Sequence, residues 1–169
     1  MTTLSDEQLR LAFLIRVIDK ERKQLAVTLQ RLFNAPLTPE CLQQLDTDPA
    51  FSEQLDAFAS RFARLQDNLG DKLLPATLAA LGEHKGPVLD NLNKAERFGW
   101  LESAENWLLP RQLRNKMVHA YIEDFQLLAD ALNSAANFTP LLENFAMQLI
   151  SALEQRNLLP SNSFLTAKP

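Results

Sequence analysis

From Phe51 onward the apolar residues Phe51, Leu55, Phe58, Phe62, Leu65, Leu69 and Leu73 recur by fours and threes. A strand turns alternate side chains to one face, whereas this spacing gathers every one of them on a single stripe of an α-helix. Asp48-Pro49 supplies its start, an N-cap followed by a proline whose missing N–H costs nothing there. A second stripe runs through Leu11, Leu14, Ile18, Leu25, Leu29 and Leu32. It predicts a helix over 5–33, with Ser5 as N-cap and Asp6 and Glu7 at the positive end of its dipole. Two long amphipathic helices bury such stripes by packing against each other, here antiparallel. Arg22 interrupts the first stripe, as a solvated side chain or as an intersubunit contact.

Only four glycines occur in 169 residues, and Leu, Ala, Gln and Glu dominate over Val and Ile. That balance selects an all-α class, an antiparallel helical bundle of about four to six helices. With 46% hydrophobic residues the chain can bury one full core. We expect one domain over 1–157 and a flexible tail over 158–169, where two prolines accompany Ser, Asn and Ser.

Punctuation divides the rest. Asn34 to Asp48 reads as a connection with a helical turn after Thr38-Pro39, and its Cys41 as a half-buried structural thiol. Pro75 should bend the second long helix, which resumes as a short stretch up to Leu81 before a turn at Gly82 to Gly86 with a solvated His84. Gly70 inside that helix costs about 1 kcal/mol against alanine and implies the close approach of another backbone. Arg61, Arg64, Asp67 and Asp71 lie three and four apart, which predicts a row of intrahelical ion pairs, with a contact to a dimer mate or to the helix that carries Arg114 as the alternative. Pro87 opens a helix to about Phe98 with Val88, Leu89, Leu92 and Ala95 inward, stopped by Gly99. Ser103 starts another, with Trp107 and Leu108 inward, which kinks or restarts at Pro110. The last helical region runs from Asp124 to about Leu153, where Thr139-Pro140 either kinks it or begins a new helix.

The net charge of −4 argues against a broad nucleic-acid footprint but leaves room for a small focused site. A single cysteine excludes an intrachain disulfide and suits a reducing cytoplasm. No apolar run has the length to span a bilayer, and the first ten residues lack the pattern of an export signal. Walker, HExxH and GxSxG patterns are absent, so any chemistry is expected to proceed without a cofactor or a protein-held metal.

One stretch concentrates chemistry: Arg114-Asn115-Lys116-Met117-Val118-His119-Ala120-Tyr121. From Arg111 to Tyr121 there are Arg111, Arg114 and Lys116 and no acidic residue, a positive island in an acidic chain. On a helix, Arg114 and His119 diverge by roughly 140° and lie about 7.5 Å apart along the axis. Asn115 and His119 share a face, and Arg114 sits almost above Tyr121. One copy therefore presents a weak pair, whereas two copies about a two-fold axis converge four polar groups on one phosphate, which favours a homodimer. Spacing alone leaves open the plainer alternative, in which Arg114 pairs with a neighbouring carboxylate and His119 packs at a helix end.

Arg-x4-His with Asn after the arginine and Tyr two beyond the histidine resembles the signature of HEPN-domain proteins, and the Arg-x4-His-x-Tyr form resembles HepT-type toxins. The segment from Arg61 to Pro75 is similar to the second helix of HepT-like chains, and the likeness covers most of Ser5 to Arg156. The resemblance implies a HEPN-like bundle and a metal-independent endoribonuclease toxin, paired with a nucleotidyltransferase-fold antitoxin, whose site is shared across a homodimer. His119 would transfer the proton of the RNA 2′-hydroxyl, since imidazole titrates at about pH 6.5. Arg114 would hold the phosphate and Asn115 would orient His119 or donate to the phosphate. Tyr121 would accept AMP from the partner and so silence the nuclease, with Lys116 and Arg111 holding RNA or nucleotide. The alternative from a different class is a noncatalytic substrate-binding or adaptor subunit of a nucleotidyltransferase. A helical interaction module with a coincidental Arg/His spacing is a third.

Overall fold

The computed structural model describes residues 3–120 and 124–160, the side chains of 118–120 excepted. Among the described residues there are helices and no strands, arranged as an all-α bundle. Helix α1 spans Asp6–Leu32, capped by a reciprocal box in which Ser5 Oγ accepts from the Gln8 N–H and the Gln8 side chain accepts from the Ser5 N–H. A short α2, Pro39–Leu42, continues into a 3-10 turn, Gln43–Asp46. Helix α3, Pro49–Asp67, starts with the Asp48 carboxylate accepting from the Phe51 N–H, as Asp48-Pro49 predicts.

Helices α1 and α3 pack as the two stripes require, and the polar contacts between them fix the direction. Arg61 meets Thr28 and the Gln24 carbonyl, whereas Asn68 meets Glu21. As one number rises the other falls, so the helices are antiparallel. Their stripes are buried together: Leu11, Leu14, Ile18, Leu25 and Leu32 against Leu55, Phe58, Phe62 and Leu65. Arg22 takes neither expected place. It reaches across the bundle to Glu143, with Nη2 at 2.5 Å and Nε donating at 2.6 Å.

Beyond α3 the helix widens into a π segment, Asn68–Leu73, and then tightens into α4, Leu74–Ala80, with Pro75 in its first turn. The irregularity thus precedes Pro75. Helix α5 is Val88–Arg97, α6 is Ala104–Ala120 and α7 is Phe125–Gln155. Leu89, expected inward on α5, is about half exposed at 51%, while Asn91 takes an inward position and pairs with both backbone groups of Gly86. Helix α6 does not restart at Pro110, which is buried inside it.

Helices α4, α5 and α7 end alike. Each closes with a residue in the left-handed region, Gly82, Gly99 or Asn157, and the next N–H reaches back five residues, to Leu78, Ala95 or Leu153. After the third cap Leu158 and Leu159 lie partly buried against the core and Pro160 is buried, so the segment expected as a tail is packed at its start.

Helix α7 runs unbroken through Pro140. Proline deprives the Ala136 carbonyl of the N–H it would accept four residues on. The Thr139 hydroxyl supplies a donor instead, at 2.7 Å. Thr139→Val should therefore cost about 1 kcal/mol, the lower end of the penalty for an unsatisfied acceptor, since the contact is partly buried. In a Pro140→Ala background, where the backbone N–H returns, the same change should cost much less; a double-mutant cycle by denaturant unfolding reads the difference, and equal costs would remove the explanation.

Candidate functional site

The motif helix α6 is positioned chiefly by α7, with α5 and α3 beside it. Trp107, fully buried, meets Phe145 of α7 edge to face with ring centres 4.8 Å apart. Its other neighbour is Gly70: a Cβ there would lie 3.0 Å from Trp107 Nε1 and 3.4 Å from two ring carbons. The close approach expected at Gly70 is present, made by an indole ring rather than by a backbone. Gln66, also buried, donates from Nε2 to the Trp107 carbonyl at 3.3 Å.

One turn and two turns along α6 from this anchor come Arg111 and Arg114, three apart and therefore neighbours on one face. Each meets a carboxylate of the facing helix. Arg111 Nη2 donates to Asp71 Oδ1 at 2.7 Å, and Arg114 Nη1 reaches both oxygens of Asp67, at 3.0 and 2.9 Å. The row expected within α3 is thus corrected. Arg61 is turned to α1, with Nη1 on the Thr28 hydroxyl at 2.5 Å, Arg64 is exposed, and the two aspartates cross to α6. Asp67 closes α3 and Asp71 lies in the π segment, and both meet the arginines of α6 across the interhelical seam.

The electrostatic expectation changes with it. The positive island of Arg111, Arg114 and Lys116 is answered by Asp67 and Asp71, three cations against two carboxylates. The plainer alternative for Arg114, pairing with a neighbouring carboxylate, is what the structure contains. Both pairs are partly open to solvent, Arg114 at 42% and Asp67 at 38%, so each contributes only about 0.2–1 kcal/mol to folding. They orient the guanidinium groups more than they stabilise the fold.

Asn115 and Lys116 are exposed, and Met117 is buried beneath them. His119 lies in the last turn of α6, its side chain outside the described residues, as is the whole of Tyr121. Since α6 is helical from Ala104 to Ala120, the relation read from spacing holds for its backbone, with residue 119 roughly 140° around the axis from Arg114. Arg114 faces α3, and the backbone at residue 119 lies on a different side of the helix axis. Sequence reasoning preferred the intrahelical row and held the contact of Asp67 and Asp71 with this helix as the alternative, which is the one present. The available signal was their four-residue spacing against the three-residue spacing of Arg111 and Arg114.

No family model, curated protein or solved structure matches this chain.

Gly70 and Trp107 set the height of α6 on α3, and the indole is wedged between Gly70 and Phe145 with little room to give. Gly70→Ala gains about 1 kcal/mol of helix propensity but forces an overpacking cost of about 1–3 kcal/mol. The net should be a loss of about 1 kcal/mol, seen as a lower melting temperature. A higher one would mean that the ring yields.

Proposed function

We propose that this chain is a HEPN-like ribonuclease that cleaves RNA by metal-independent transesterification in a groove shared by two copies. The observation that carries the reading is the half-exposed Arg114, held by Asp67 at the end of α6 beside exposed Asn115 and Lys116 and one turn before His119. A guanidinium so placed offers a permanent planar charge to a phosphate. The divergence of Arg114 and residue 119 around α6 supports a two-copy site, because a single helix does not bring both to one phosphodiester.

RNA carries its own nucleophile. His119 takes the proton of the 2′-hydroxyl as that oxygen attacks phosphorus; the bond to the 5′-oxygen breaks and the departing oxygen is protonated, leaving a 2′,3′-cyclic phosphate and a 5′-hydroxyl. Arg114 stabilises the negative charge that builds on the phosphorane oxygens, and Asn115 orients His119 or the phosphate. Tyr121 is the proposed acceptor of AMP from a nucleotidyltransferase partner. The added anion would occupy the phosphate site and repel RNA.

The pairing of Arg111 and Arg114 with Asp71 and Asp67 favours a second reading, a noncatalytic adaptor that docks a nucleotidyltransferase through the same surface. In that reading the arginines are structural and Lys116 carries the contact.

Purified protein incubated with single-stranded RNA in EDTA separates the two. Cleavage to cyclic-phosphate ends is expected, reduced at least about 100-fold in His119→Ala and in Arg114→Ala, the scale of a lost acid–base or oxyanion-stabilising group. RNA left intact by the unaltered protein, or cut equally by both variants, overturns the nuclease reading. Intact RNA with a nucleotidyltransferase still bound supports the adaptor.

A further inference from the structure

We infer that Asp67 is the positioning residue of the cleavage site, fixing the plane of the Arg114 guanidinium so that its opposite edge meets the phosphate. The inference rests on the nuclease reading and adds a residue to it.

Asp67 is the last residue of α3 before the π segment, and the chain is tied down on both sides of it. Gln66, immediately before, is buried and donates to the Trp107 carbonyl of α6 at 3.3 Å. Asn68, immediately after, donates from Nδ2 to both carboxylate oxygens of Glu21 on α1 at 2.9 Å. One neighbour is thus fastened to α6 and the other to α1, which leaves the Asp67 backbone little freedom. Its side chain is correspondingly a fixed reference point, although it is 38% exposed.

The contact has the geometry of an orienting device. Both carboxylate oxygens lie 2.9–3.0 Å from the same nitrogen, Nη1. A guanidinium is planar, with five donors in a rigid fork, so holding one terminal nitrogen restricts the whole plane. By covalent geometry Nε and Nη2 form the edge that faces away from Nη1. A phosphate approaching that edge meets two parallel N–H groups without displacing the carboxylate. Trp107 lies seven residues before Arg114 on the same face of α6, so the indole seated on Gly70 fixes the root of the arginine as Gln66 and Asn68 fix the root of the aspartate.

The test compares steady-state cleavage of one RNA in EDTA by the unaltered protein, Asp67→Asn, Asp67→Glu and Asp19→Asn. Asp19 lies on α1 against Arg22 and Lys23, so its neutralisation changes net charge equally, away from Arg114. Asp67→Asn should lower kcat by about tenfold or more, as misplacement of a reacting group does, with KM moving by less than about twofold. Asp67→Glu, which keeps the carboxylate, should recover part of kcat, and Asp19→Asn should match the unaltered protein. Thermal melting checks that all four are folded. An unchanged or raised kcat in Asp67→Asn, or an effect on KM alone, overturns the inference while leaving the nuclease reading intact. An unaltered protein that does not cleave overturns both, so the two failures are told apart.

Discussion

The seat of Trp107 on Gly70 is the contact from which the geometry around Arg114 follows. An indole buries a large apolar area only where a facing helix offers a gap. The gap here has three sources: a residue without a Cβ, a helix widened into a π segment, and Phe145 closing the far side. The seat has a cost. Trp107 Nε1 and Gln66 Oε1 are buried with no hydrogen-bond partner among the described residues, and such groups cost about 1–3 kcal/mol each. The area gained by the ring and by the surrounding leucines outweighs that cost, and the result is a fixed height of α6 on α3. With the height fixed, Arg111 falls opposite Asp71 and Arg114 opposite Asp67.

The long-range organisation was legible wherever one periodicity dominated. The stripes of α1 and α3 specify the helices, their burial and their pairing, because apolar positions spaced by fours and threes have one way to leave water. Caps were legible for the same local reason: Ser5, Asp48 and Gly99 act on groups within a few residues of themselves. What escaped was set across helices. Arg61, Arg64, Asp67 and Asp71 fit an intrahelical row by spacing, yet the aspartates take the interhelical alternative on Arg114 and Arg111 while Thr28 and the Gln24 carbonyl claim Arg61. Widening by a single residue per turn is not written in hydrophobic periodicity, because Leu69 and Leu73 remain buried either way. Arg22 escaped likewise, since Glu143, its partner, lies more than a hundred residues away. The unbroken course of α7 through Pro140 depends on a hydroxyl contact that pattern reading does not weigh.

For the candidate site, position was legible and electrostatics was not. The cluster from Arg114 to Tyr121 stands out because it joins one of two histidines and the single tyrosine to cations with no acidic residue between, and the α6 backbone keeps the angular relation that spacing implies. Its net charge was overstated. A count along the sequence sees three cations, and a count through space adds the two carboxylates of the facing helix.

That neutralisation decides what kind of polyanion recognition this surface can support. A chain of net charge −4 repels RNA at long range, and screening at physiological salt confines any local attraction to about 8 Å. Steering by a broad field is therefore closed to it, and a tracking groove for many phosphates would need cations that α6 does not supply. Recognition of one phosphate by fixed geometry remains open, and there the aspartates help. A carboxylate that holds a guanidinium removes the entropy cost of ordering a long side chain when the phosphate arrives. The loss of net attraction is a short-range Coulomb term in a half-exposed site, small by the same reasoning that makes the ion pair weak. Bringing two copies together doubles the oriented donors while the residual charge per copy stays near +1, so convergence, more than charge, is what a second subunit adds. On this account the ionic pairing seen at Arg114 is compatible with chemistry on a single bond in a short RNA segment, and incompatible with tight, sequence-independent binding along a strand.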